Sequence, residues 1–134
     1  MKIIQQNINT IYTALGVGSL NSVSPEEIVK IMKIRKAFRP YFEAYRAFED
    51  DVRKAQPNYD KLSEIENKVD KSEEDKTFYI ENIKAFITGV NMAIIPELNK
   101  EIEIDVESLL PETIALVVSR TNAPLDVLEI LCKD

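Results

Sequence analysis

The stretch from Ser24 to Lys54 constrains this chain more than any other. It opens "SVSPEEIVKIM", in which Ser24 is a good helix N-cap, Pro25 suits the first helical position and Glu27, three residues on, completes a capping box. The helix so begun runs to about Lys54, because Gln56 and Pro57 stop it. At 100° per residue, Ile31, Ile34, Phe38, Tyr41, Phe42, Tyr45, Phe48 and Val52 fall within an arc of roughly 120°, the width of a buried stripe. Inside this helix lies "RKAFRPYFEAYRAFEDD", with five of the ten aromatic residues and three of the five arginines around one proline. Pro40 removes an amide donor and clashes one turn back, so a kink or a break into two helices is expected there.

Shorter signals flank it. Ile4, Ile8, Ile11, Tyr12 and Leu15 share one face of an amphipathic helix ended by Gly16 and Gly18, and Lys2 to Ile4 reads alternatively as a short strand. Leu62, Ile65 and Val69 mark a short helix or the continuation of a coiled segment. Ser72 caps a second long helix whose first turn carries Glu73, Glu74 and Asp75, with Ile80, Ile83, Phe86, Ile87, Val90 and Ile94 as its stripe. Gly89 weakens that helix and Pro96 ends it. "KEIEIDVE" alternates, setting Ile102, Ile104 and Val106 against Glu101, Glu103, Asp105 and Glu107, the pattern of a half-buried strand. Its partner is Ile114 to Val118, Lys2 to Ile4, or the edge of another subunit. A last short helix begins near Pro124 and carries Leu125, Leu128, Ile130 and Leu131. These elements predict one domain over 1–134, mainly α with minor β: a long antiparallel helical hairpin, a short β element and a C-terminal short helix.

Charge and chemistry narrow the function. The net charge is −6, which argues against bulk attraction to nucleic acid or to an anionic membrane. Its distribution is uneven. Residues 1–56 carry 9 basic against 6 acidic side chains, residues 57–95 carry 5 against 8, and residues 96–134 carry 3 against 9, giving +3, −3 and −6. The first part is complementary to the last, within one molecule or between neighbours. No apolar run approaches the roughly 20 residues of a membrane span. A single cysteine, Cys132, and the lack of a signal-like leader point to a reducing cytoplasm. With no histidine, the commonest general base and transition-metal ligand are missing, and there is no phosphate-loop, dinucleotide or nucleophile-elbow pattern. Neither an enzyme nor a cofactor is expected.

What remains is binding. Arg35, Arg39, Arg46 and Arg53 project within about 40° of one another, beside the aromatic stripe. Such a flank covers the core with its stems while pairing with acids, for which Glu73, Glu74 and Glu81 are available, or it grips a partner. Glu49–Arg53 and Arg46–Asp50 are i,i+4 pairs. Glu101, Glu103 and Asp105 form an acidic strand face that keeps an edge soluble, or offers a hard-cation or partner contact. The partner-binding candidates are therefore these four arginines and three acids. The favoured partner is a protein, including further copies of the chain; a regulatory, nucleic-acid-associated role for the arginine flank is the alternative.

The order of parts resembles a family of short, acidic, uncharacterised phage and prophage proteins. The likeness rests on "NINTIYTAL", "FRPYFEAYRAFEDDVRKA" and "IPELNKEIEIDVESL" followed by "PLDVLEIL". Tyr45 and Arg46, with Glu43 displaced, stand for the family's aromatic-acid-x-x-Arg feature, and Leu98 to Ile104 for its strand. The resemblance implies a non-enzymatic phage-type structural, assembly or accessory component.

Overall fold

A computed structural model describes residues 1–17 and 22–132; Gly18, expected to help end the first helix, lies outside them. In chain order the elements are β1 (Lys2–Ile4), α1 (Gln5–Leu15), α2 (Pro25–Lys54), α3 (Tyr59–Glu66), α4 (Glu73–Leu98), β2 (Glu101–Glu103), α5 (Pro111–Thr121), α6 (Leu125–Leu128) and a 3-10 turn (Glu129–Leu131). The fold is mainly α, with one small two-stranded antiparallel sheet. Two compact units divide it: Met1–Ala44 with Asn99–Asp134, and Tyr45–Leu98.

In the first unit, β1 and β2 pair with Ile3 opposite Ile102, and both side chains are buried while Lys2, Glu101 and Glu103 stay in water. Of the three partners open to the acidic strand, Lys2–Ile4 is the one used. The strand is shorter than its alternation, since regular pairing stops at Glu103. The pattern persists beyond it nevertheless: Ile104 and Val106 are half-buried, Asp105 and Glu107 exposed. Ile114 to Val118 is helical instead. Pro111 starts α5 at a position where a missing amide costs nothing, and Thr113, Ile114 and Val117 then fall on one buried face. Onto this framework pack Ile8 and Ile11 of α1, Ile34 and Phe38 of α2, and Leu128 and Leu131 at the end, nearly all sealed from solvent.

The start of α2 behaves differently from a simple capping box. Ser24 Oγ accepts from the Glu27 amide at 3.4 Å, as the pattern requires. The Glu27 carboxylate does not turn back; its Oε1 accepts from the Leu110 amide and from Thr113 Oγ1, both at 2.7 Å, and Lys30 Nζ lies 3.1 Å from Oε2. One side chain of α2 thus caps the N-terminus of α5. Burial pushes the Glu27 carboxyl up, but the bonds from Leu110, Thr113 and Lys30 outweigh it and hold the group below its usual range.

Pro40 does not break α2, which is helical from Pro25 to Lys54. Lys36, whose carbonyl loses its helical donor, and Pro40 are both exposed, so water can take that acceptor. The stripe is buried at Ile31, Ile34, Phe38 and Tyr45, partly covered at Phe42, Phe48 and Val52, and 37% exposed at Tyr41.

The second unit is an antiparallel helical hairpin with α3 packed on α4. Tyr45 lies in the field of Glu97 while Gln56 meets Gly89, so the end of α2 and the end of α4 run in opposite directions. Gly89 has a reason: a Cβ there would collide with Gln56 Oε1. Ser72 and Asp75 form a reciprocal capping box, each amide bonding the other's side chain at 3.1 Å, and Lys68 Nζ reaches Asp75 at 3.0 Å. Tyr59 stacks on Phe86 with centroids 6.4 Å apart. Two expectations fail. Val69 lies beyond α3 and is 97% exposed, and Pro96 does not end α4, which continues to Leu98. The α4 stripe is also only partly covered, with Val90 buried but Ile80 73% and Ile87 50% exposed.

Candidate functional site

The end of α1 and the first half of α2 enclose a groove of about 800 Å³ in the first unit. Leu15, Ile28 and Ile31 give it an apolar lining, to which Val29 and Met32 add exposed side chains. Its charged lining is Lys33, Arg35, Lys36 and Arg39, with no acid among them. This follows from helix geometry: Val29, Met32, Lys33, Lys36 and Arg39 recur at spacings of three and four.

Tyr12 of α1 fixes the two arginines. Its ring lies 4.2 Å below the Arg35 guanidinium, its carbonyl accepts from Arg35 Nε at 3.3 Å, and its hydroxyl accepts from Arg39 Nε at 3.3 Å. The ring is itself braced by Phe42, centroid to centroid 4.4 Å. Arg35 has room because Gly16 carries no side chain; a Cβ would come within 2.8 Å of Arg35 Nη2. The hydroxyl of Tyr12 raises the Arg39 pKa, with a smaller contribution from Glu43. Neither Arg35, Lys36 nor Arg39 has a carboxylate at ion-pair distance among the described residues, while Lys33 lies 3.8 Å from Glu107. Three positive charges therefore lie beside an apolar surface without an ion-paired acid among the described residues, and two of them, Arg35 and Arg39, are held by Tyr12.

The other candidates have different settings. Arg46 and Arg53 belong to the second unit and line a shallow depression with Glu49 and Asp50. There Arg53 Nη2 binds Glu49 Oε1 at 2.9 Å, the expected i,i+4 pair, and Asp50 binds Lys54 Nζ at 2.8 Å. Glu73, offered as an arginine partner, pairs with Lys76 at 3.5 Å. On the acidic strand, the Met1 amino group donates to Asp105 at 2.6 Å and to Glu103 at 3.2 Å, and those bonds raise its pKa, Asp105 most. Glu101 stays exposed. No cluster of metal-ligating side chains occurs among the described residues. Cys132 bridges to Leu109 through the backbone and is half-buried.

Lys33, Lys36, Met32 and Tyr12 are site residues that the arginine projection passes over. The signal was present in "VKIMKIRK", where cations recur beside exposed apolar residues. Tyr12 could not be paired with Arg35 from spacing, since the two lie on different helices. No protein-family model, curated protein or solved structure matches the chain. No helix among the described residues is long and apolar enough to cross a membrane.

Proposed function

We propose that this chain is a non-enzymatic interaction module, a small structural, assembly or accessory protein of the phage or prophage type working in the cytoplasm. Its first unit docks an amphipathic, acid-flanked helix of a partner protein in the groove between α1 and α2. The observation that carries this reading is the groove's lining, four cations and no acid around an apolar floor that leaves Val29 48% and Met32 63% exposed. A helix supplying apolar residues at i, i+3, i+4 and i+7, with glutamates alongside, fits both features.

The test is fluorescence anisotropy with a labelled synthetic helix of leucines at those spacings and glutamates on the flank. A scrambled peptide of equal charge serves as control. The ordered peptide binds, the scrambled one binds at least about tenfold more weakly, and Met32→Asp and Arg39→Glu each weaken binding about tenfold or more. Equal binding of the two peptides overturns the reading. Labelled DNA or RNA binding through Arg35 and Arg39 with a steep salt dependence, in place of peptide binding, selects the nucleic-acid alternative.

A further inference from the structure

The groove between α1 and α2 is asymmetric along its length. The lining that α2 contributes is apolar over residues 28–32 and cationic over residues 33–39. At 1.5 Å per residue the centres of the two halves lie about 9 Å apart along the helix axis. Exposed Glu26 stands before the apolar half on the same side, since Glu26, Val29, Met32, Lys33, Lys36 and Arg39 project within an arc of about 140°. This side of α2 therefore runs from an acid, through apolar residues, to cations. Two of the cations have donors to spare. Arg39 donates to Tyr12 through Nε, which leaves its Nη edge for a ligand, and Lys36 has no partner among the described residues. Arg35 shows what such a group takes. In the last turn of α1 the Gly16 amide bonds the Thr13 carbonyl, and Arg35 Nε donates to the Tyr12 carbonyl at 3.3 Å, so an arginine of this groove already caps one helix C-terminus.

We infer that the groove reads one end of its partner: the helix lies parallel to α2, with its apolar residues over residues 28–32 and an acidic last turn over Lys36 and Arg39. This rests on the docking proposed above and adds the direction in which the helix enters. A helix carries about half a positive charge at its N-terminus and half a negative charge at its C-terminus. In the stated direction the negative end, its unpaired carbonyls and its acids meet the Lys36 and Arg39 donors, while the positive end meets Glu26. Reversed, the partner's amide end faces the cations and its acids face Glu26 across an apolar surface. The dipole of α2 does not undo this preference, because its negative end lies at Lys54, well beyond Arg39, and Glu26 and Glu27 in its first turn offset its positive end. The partner is therefore a helix of another protein that ends in acids, not one that begins with them.

The experiment uses the whole chain and two synthetic peptides of the same composition. Both carry leucines at i, i+3, i+4 and i+7; glutamates fill the last turn of one and the first turn of the other. Both are acetylated, amidated and held helical by an i,i+4 lactam, because acids in the first turn would otherwise favour the second peptide's helix. In fluorescence anisotropy the acid-last peptide binds at least about fivefold tighter, and in a Lys36→Gln, Arg39→Gln double variant the two come within about twofold of each other. A nitroxide at the C-terminus of the acid-last peptide broadens the wild-type NMR amide signals of Lys36 and Arg39 more than that of Val29, and one at its N-terminus does the reverse. The nitroxide needs no variant, so it reads the direction even if the double variant folds poorly. Acid-last binding no tighter than acid-first, or a C-terminal nitroxide that broadens Val29 more, overturns the inference. Where both ordered peptides still bind more tightly than a scrambled one, docking stands and the direction alone falls. Where neither does, docking falls and takes the direction with it.

Discussion

Replacing Glu27 should weaken the first unit in a pH-dependent way. Its carboxylate is almost fully buried, at 2% exposure, and one oxygen takes the Leu110 amide and the Thr113 hydroxyl, each at 2.7 Å. Hydrogen bonds to a charged group contribute about 1.5–3 kcal/mol each, so Glu27→Ala should cost about 3–5 kcal/mol, with little added for the partly exposed Lys30 pair. Glu27→Gln keeps an acceptor but loses the charge, and should cost about 1–2 kcal/mol. Because the folded carboxyl titrates below its unfolded value, its stabilisation is complete above the unfolded pKa. It is lost as pH falls through the folded one. The gap between wild type and Glu27→Gln is therefore widest near neutrality, begins to narrow as pH falls past the unfolded value and closes below the folded one. Urea unfolding at a series of pH values measures it, with hydrogen exchange of the Leu110 amide as a local probe. A Glu27→Ala penalty under about 0.5 kcal/mol, or a Gln gap that does not change with pH, would refute the reasoning.

Pro40→Ala should stabilise the protein, by up to about 3 kcal/mol in thermal or urea melts, because it restores a helical amide at an exposed site. Gly89→Ala alone should gain less than the roughly 1 kcal/mol of its helix propensity, since Gln56 must move; the full gain should return in a Gln56→Ala background, a double-mutant cycle readable by urea melts. Ser72→Ala should cost about 0.5–2 kcal/mol and reduce protection at the first turn of α4 in hydrogen exchange.

Much of the helical framework was legible because its signals are local. The Ser24 and Ser72 caps, the stop at Lys54 and the Ile31–Ile34–Phe38 face are set by residues within a few positions of one another. Less was legible where a distant group decides. Glu27 looked like one half of a box, and only the proximity of Leu110 and Thr113 turns its carboxylate toward α5. The β-branched run Ile114 to Val118 suits a strand by composition, yet Pro111 and the buried Thr113–Ile114–Val117 spacing make it a helix. In α4 the apolar residues occupy a wider arc than the hairpin covers, so a stripe drawn through Ile80 and Ile87 predicts burial that this fold does not supply. The candidate site shows the same limit. Arg35 and Arg39 were found by projection, but their anchorage on Tyr12 joins two helices, and Arg46 and Arg53 share their angular position without sharing their neighbours.

The pairing of Ile3 with Ile102 also sets an order of events on the ribosome. At about 5–20 residues per second, β1 is made several seconds or more before β2 exists to pair with it, and closing a loop of roughly a hundred residues slows the step further. The Tyr45–Leu98 segment is contiguous and is complete before β2 is made. The nascent chain thus carries Ile3 unpaired, and the side of α1 that meets α5 and α6 uncovered, through most of its synthesis, the interval in which a chaperone or a misplaced apolar contact would capture it.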